Sequence, residues 1–101
     1  MLLARRELPD AEAALRTALD LRRRQYGDSS MYVADPAALL ARCLLEAGRL
    51  AEAEELLLAS YPILVAELGA EFRETRAARQ SLADLYTIWG KPAQADAYRS
   101  P

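Results

Sequence analysis

A single thiol, Cys43, stands in a chain of 101 residues that contains no histidine. A lone cysteine permits neither an intrachain disulfide nor a zinc site built from thiols. Without histidine there is no imidazole to activate a nucleophile, act as a general base near neutral pH or ligate a metal. Cys43 lies beside Leu44 and Leu45 in an apolar helical pattern, so a buried, unreactive thiol is expected. The carboxylate pairs Asp10 with Glu12 and Glu54 with Glu55 could serve acid-base chemistry, but adjacent positions on a helix do not face one another. Arg22-Arg23-Arg24 is the one basic run and reads as a solvated helix face. Trp89, next to Gly90, reads as a packing plug at a helix end. These residues point away from an enzyme, and no cofactor or metal is expected.

Thirteen basic and fifteen acidic residues give a net charge of −2, too balanced a field to favour nucleic acid or anionic lipid as the main partner. No apolar run approaches the length of a membrane span. "MLLARRELPD" has a basic pair after only a few apolar residues, unlike an export signal, so a cytoplasmic location is the expectation.

The elements that would position any site are marked by glycine. The four glycines, Gly27, Gly48, Gly69 and Gly90, are each 21 residues apart. The intervals are rich in Ala, Leu, Arg and Glu, with apolar residues three and four apart, so each glycine reads as a helix stop. The spacing predicts helices from about Pro9 to Tyr26, a second ending at Ala47, a third over Leu50 to Leu68, a fourth over Glu71 to Trp89 and a short fifth over Pro92 to Arg99. Pro9 and Pro92 fall in expected first turns. Asp35 could cap a helix at Pro36, although register with the fourth helix places the start of the second near Ser30 or Met31. Pro62 predicts a kink near Leu58 or an irregular turn.

"LEAGRLAEAEEL" (45–56) and "TIWGKPAQADAY" (87–98) align at a shift of 42 residues, placing Gly48 on Gly90, Ala51 on Ala93 and Ala53 on Ala95. The same shift carries Ala37, Leu40, Ala41 and Leu44 onto Arg79, Leu82, Ala83 and Tyr86, and carries Ala11, Leu15 and Ala18 onto Ala53, Leu57 and Ser60. This is an internal repeat. Ala41, Ala53, Ala83 and Ala95 would let paired helices approach closely, with Leu40, Leu44, Leu50 and Leu57 filling the space beside them. Such pairs bury their faces only by stacking. The fold class is therefore all-α, a right-handed solenoid of antiparallel pairs with about five helices. It divides into a half repeat at 1–27, a repeat at 28–69 and a repeat at 70–101 with a short terminal helix.

"LLARCLLEAGRLAEAEELL" resembles the tetratricopeptide repeat family, and the 42-residue unit, against the usual 34, resembles the long kinesin-light-chain type. The turns "GDSSMY" and "GAEFRE" lack the acidic-His-Pro turn common in that type. "LYTIWGKPAQADAYR" resembles the end of tetratricopeptide arrays in bacterial receptor-type serine/threonine kinases, although no kinase motif accompanies it. The resemblance implies a protein-interaction module, with a regulatory or docking tail of such a kinase as the alternative.

If Leu40, Ala41 and Leu44 point into the pair, the opposite stripe is Ala38, Arg42 and Leu45, repeated at Gln80, Asp84 and Thr87. This is the expected groove for a protein or peptide partner. Arg42 could fork onto a partner carboxylate or pair with Glu46 four residues on. "MLLARREL" matches the end of a first helix, with Arg6 at the glycine position, so the chain would open mid-repeat. Met1, Leu2, Leu3, Leu8, Leu15 and Leu19 would then leave an uncovered apolar face through which the chain could form a homo-oligomer.

Overall fold

The computed structural model describes residues 2–99, with side chains for 10–99. Five helices follow in order: α1 (Leu2–Tyr26), α2 (Met31–Glu46), α3 (Leu50–Leu68), α4 (Arg73–Ile88) and α5 (Pro92–Arg99). No strand occurs among the described residues. Each helix packs on the next in sequence, and α2 also touches α4, as expected of stacked antiparallel pairs.

All four glycines have positive φ, and no other described residue does. At the end of α2 the Arg49 amide donates to the Leu44 carbonyl at 2.8 Å and the Gly48 amide to the Leu45 carbonyl at 3.1 Å. Forty-two residues on, Lys91 donates to the Tyr86 carbonyl at 2.8 Å and Gly90 to the Thr87 carbonyl at 3.2 Å. The two bonds satisfy carbonyls that the helix end leaves open, and they require a left-handed residue at the glycine position.

The helix starts are less alike. Ser30 caps α2, its hydroxyl accepting from the Tyr32 amide at 3.0 Å. The equivalent position before α4 is Phe72, which offers no side-chain cap, and α4 begins at Arg73 rather than at Glu71. Pro36 lies within α2 instead of opening it. The irregular turn considered at Pro62 is absent, since α3 continues through it to Leu68.

α1 is continuous from Leu2, so Arg6 marks no turn and Pro9 no first turn. Arginine has no ease in the left-handed conformation that ends the other helices, and helical hydrogen bonding runs on past it. Leu19, expected on an uncovered face, is 3% exposed and belongs to the core, with Leu15 packed against it. The side chains of Met1, Leu2, Leu3 and Leu8 lie outside those described.

The core is a leucine-alanine lattice. Leu40, Leu44, Leu57, Leu64, Leu82 and Leu85 are at most 1% exposed. Ala41, Ala53, Ala83 and Ala95 are at most 2% exposed, as the repeat register requires. Tyr86 replaces Leu44 in the last repeat and stacks on Tyr98 of α5 at 6.0 Å, while Tyr61 of α3 meets Tyr98 edge-on at 5.9 Å. The Tyr86 hydroxyl donates to Glu54 at 2.8 Å. Burial and then that carboxylate raise its pKa, keeping the phenol protonated.

On the α1–α3 side Arg16 reaches Glu12 at 2.9 Å and Glu52 at 3.0 Å, and Arg49 contacts both carboxylates. Glu12 and Glu52 are held below the usual carboxylate range, first by the Arg16 hydrogen bonds and also by Arg49. Their folded pKa values are depressed, so this clamp contributes above the unfolded carboxylate pKa and is lost as pH falls through the depressed values.

Ala53→Leu is expected to overpack the α2–α3 crossing and to cost about 1–3 kcal/mol. Chemical denaturation of purified wild type and variant measures it. Equal stabilities would show that Ala53 does not sit at a closed crossing.

Candidate functional site

The stripe expected from the register comes together between α2 and α4. Arg42 Nη1 lies 2.8 Å from Asp84 Oδ2, an ion pair between the same position in successive repeats. Gln80 Nε2 donates to the other Asp84 oxygen at 2.9 Å, and Arg42 Nε lies 3.6 Å from Glu46. Of the two pairings weighed for Arg42, the one with Glu46 along its own helix is formed, and the contact across to Asp84 is an additional intrachain bridge.

This bridge divides the surface into two cavities. One, of about 280 Å³, is floored by Ala38, Leu39, Ala77 and Ala78, with Asp35, Glu74, Arg42 and Gln80 among its polar neighbours. The other, of about 190 Å³, is lined by Leu45, Thr87 and Ile88 with Arg42, Glu46 and Asp84. Cavities of this size can each accommodate a single side chain. Leu39 and Ile88 are 55% and 63% exposed, leaving apolar surface open beside the charges.

Five of the six stripe residues are accessible or half-buried, but Leu45 is only 4% exposed and forms a floor rather than a wall. It lies one residue beyond Leu44 near the end of α2, beside Asp84, Thr87 and Ile88 of α4. Thr87 is exposed, yet its hydroxyl donates to the Ala83 carbonyl at 2.8 Å and accepts from Arg99 at 3.0 Å. Asp35, Leu39, Glu74, Ala77 and Ile88 were not expected. One turn back from Ala38 and Gln80 lie Asp35 and Ala77, and one turn on from Asp84 lies Ile88, beside Thr87.

The other reactive candidates serve packing or solvation. Glu54 holds Tyr86, and Glu12 belongs to the α1–α3 clamp. Cys43 is half-buried, not buried as expected, whereas its repeat counterpart Leu85 is fully covered. α4 has both α2 and α3 ahead of it in the stack, while α2 has only α1. Burial first, then the charges of Glu46 and Glu12, raise the Cys43 pKa, so the thiol stays protonated and weakly nucleophilic near neutral pH. Trp89 is half-buried against the core, with Lys91 Nζ 4.1 Å over its ring, and lies outside both cavities. Arg22 donates to the Tyr32 carbonyl and Arg23 faces Asp28 at 3.7 Å, leaving the basic run on a solvated surface. No group of three potential metal ligands occurs among the described residues. None of their helices is long and apolar enough to cross a membrane.

A family model described as Tetratricopeptide repeat matches residues 1–66, well over half of the chain. The chain belongs to the tetratricopeptide repeat family, an all-α class of helical repeats that serve as scaffolds for protein–protein interaction. Comparisons with curated proteins and with solved structures gave no match. The matched span takes in α1, α2 and most of α3. α4 and α5 continue the same architecture through the second glycine closure and the buried Ala83 and Ala95.

A double-mutant cycle on Arg42→Ala and Asp84→Ala should give a coupling of about 0.2–1 kcal/mol, because both side chains remain partly solvated. The coupling should shrink as salt is raised. Strict additivity at low salt would show that the bridge does not form in solution.

Proposed function

We propose that this chain is a non-catalytic, cytoplasmic interaction module that holds a segment of a partner protein in the groove between α2 and α4. The observation that carries the reading is the pair of small apolar cavities set either side of the Arg42–Asp84 bridge. Side-chain-sized cavities either side of the bridge suit a segment whose side chains seat one by one, with the ion pair spanning the two first helices between them. The outer surface is differently built. Between α1 and α3, Glu12, Arg16, Arg49 and Glu52 are spent on one another in the clamp.

A second reading is a docking or regulatory tail of a bacterial serine/threonine kinase. It is supported by the stretch from Leu85 to Arg99, where Trp89-Gly90-Lys91-Pro92 makes the α4–α5 turn and Arg99 folds back onto Thr87. A kinase-encoding frame continuous with Met1 in the genomic DNA would favour it, and a stop codon immediately upstream in frame would remove it.

A photo-crosslinking amino acid at Leu39 or Ile88 is expected to trap a discrete partner in lysate of the source organism, and Ala77→Trp, which fills the larger cavity, is expected to abolish the Leu39 crosslink. The same probe at Leu58, exposed on α3, is expected to trap none. Crosslinks from Leu58 alone would move the site off the groove.

A further inference from the structure

The charges around the groove are unequal. Asp35, Glu46, Glu74 and Asp84 line its two cavities, and Arg42 is the only cation that does so. That cation is already engaged, 2.8 Å from Asp84 and 3.6 Å from Glu46. Asp84 is further held by Gln80. The larger cavity therefore presents an apolar floor of Ala38, Leu39, Ala77 and Ala78 between two carboxylates whose charge Arg42 does not neutralise, Asp35 on α2 and Glu74 on α4. Arg73, Arg76 and Arg79 line an adjoining cavity that shares Ala77 and Gln80, and the one that pairs with Glu74, at 3.1 Å, is Arg73. That side chain is 90% exposed, so its charge is strongly screened by solvent. Asp35 has no ion-pair partner among the described residues.

We infer that the segment bound in the groove is apolar and basic: an apolar side chain seated on Leu39, Ala77 and Ala78, flanked by lysine or arginine facing Asp35 and Glu74. This rests on the groove reading above and adds the chemistry of the partner. A segment rich in carboxylates is disfavoured, because it would bring like charge to Asp35 and Glu74 while Arg42 could answer it only by leaving Asp84. Complementary charge of this kind governs selectivity and the rate of association more than the depth of binding. The apolar anchor supplies the remaining affinity, since Leu39 holds more than half of its surface open to solvent.

Three short fluorescently labelled peptides test this by anisotropy: one alternating lysine and leucine, one with glutamate in place of lysine, and one with serine in place of leucine. The lysine–leucine peptide is expected to bind at least about tenfold tighter than either of the others, and more weakly at higher salt. Asp35→Lys with Glu74→Lys is expected to remove that preference and to favour the glutamate–leucine peptide. Glu55→Lys with Glu67→Lys, the same charge change on exposed positions of α3, is expected to leave the ranking intact. Circular dichroism confirms that each variant is folded.

Tighter binding of the glutamate–leucine peptide by the wild type would overturn the inference while leaving the groove as the site. Binding lost through the α3 variant but not through the groove variant would overturn the groove itself. A second copy of the chain could present similar chemistry through Leu21 and Arg22-Arg23-Arg24, which are exposed. Sedimentation showing self-association released by Arg23→Glu with Arg24→Glu would assign the groove to that copy and overturn a separate partner.

Discussion

The turn closed by Gly48 is the constraint on which the remaining structure depends. Its positive φ allows the Arg49 amide to reach back to Leu44, which ends α2 and returns the chain antiparallel along it. The return brings α3 against α2, and Ala53 is fully buried between them. A side chain one size larger would separate the helices and open gaps around Leu40, Leu44 and Leu57. Dispersion contacts in such a core fall off steeply with separation, so close approach and leucine packing are two aspects of one requirement. The same requirement is met again at Gly90 and Ala95.

Repeating one turn has a consequence at the surface. When helix pairs stack in register, residues 42 apart are presented side by side, so any charge on the first helix of one pair meets whatever occupies its own position in the next. A repeat with identical residues would set like charges against one another there. This chain places Arg42 against Asp84, converting a repulsion into a bridge. The bridge is partly solvated and contributes little to stability. Its value lies in shape, since it separates an apolar cavity on one side from a smaller one on the other and leaves Asp35 and Glu74 as groove carboxylates that Arg42 does not pair with.

The features legible in the sequence were those set by local backbone chemistry or by the repeat itself. Glycine marks a left-handed residue wherever it closes a helix, and all four positions obeyed it. The buried alanines followed from the shift of 42, as did the juxtaposition of Arg42 with Asp84. The features that escaped depend on what neighbouring elements cover. Cys43 and Leu85 occupy the same place in the repeat but differ in exposure because different helices precede them. Leu45 was placed on the groove by helical angle alone, whereas the packing of α4 makes it a floor. Arg6 aligned with two glycines, but a shared register position does not confer glycine's conformational freedom, and α1 runs straight through. Asp35 and Glu74 were missed for a different reason: carboxylates near the starts of helices are common, and only the cavity between α2 and α4 gives these two a shared role.

Hydrogen exchange at two amides tests the central claim, that a single turn geometry recurs 42 residues apart and builds the stack. Arg49 and Lys91 both lie beyond the last residue of their helices, at positions where an open chain would exchange freely. In the structure each amide donates at 2.8 Å to a carbonyl in the preceding helix, Leu44 and Tyr86 respectively. Residue-resolved exchange followed by NMR should find both amides exchanging far more slowly than in an unstructured chain. Protection at Arg49 with free exchange at Lys91, or free exchange at both, would contradict a repeated turn and with it the groove that the repeat creates.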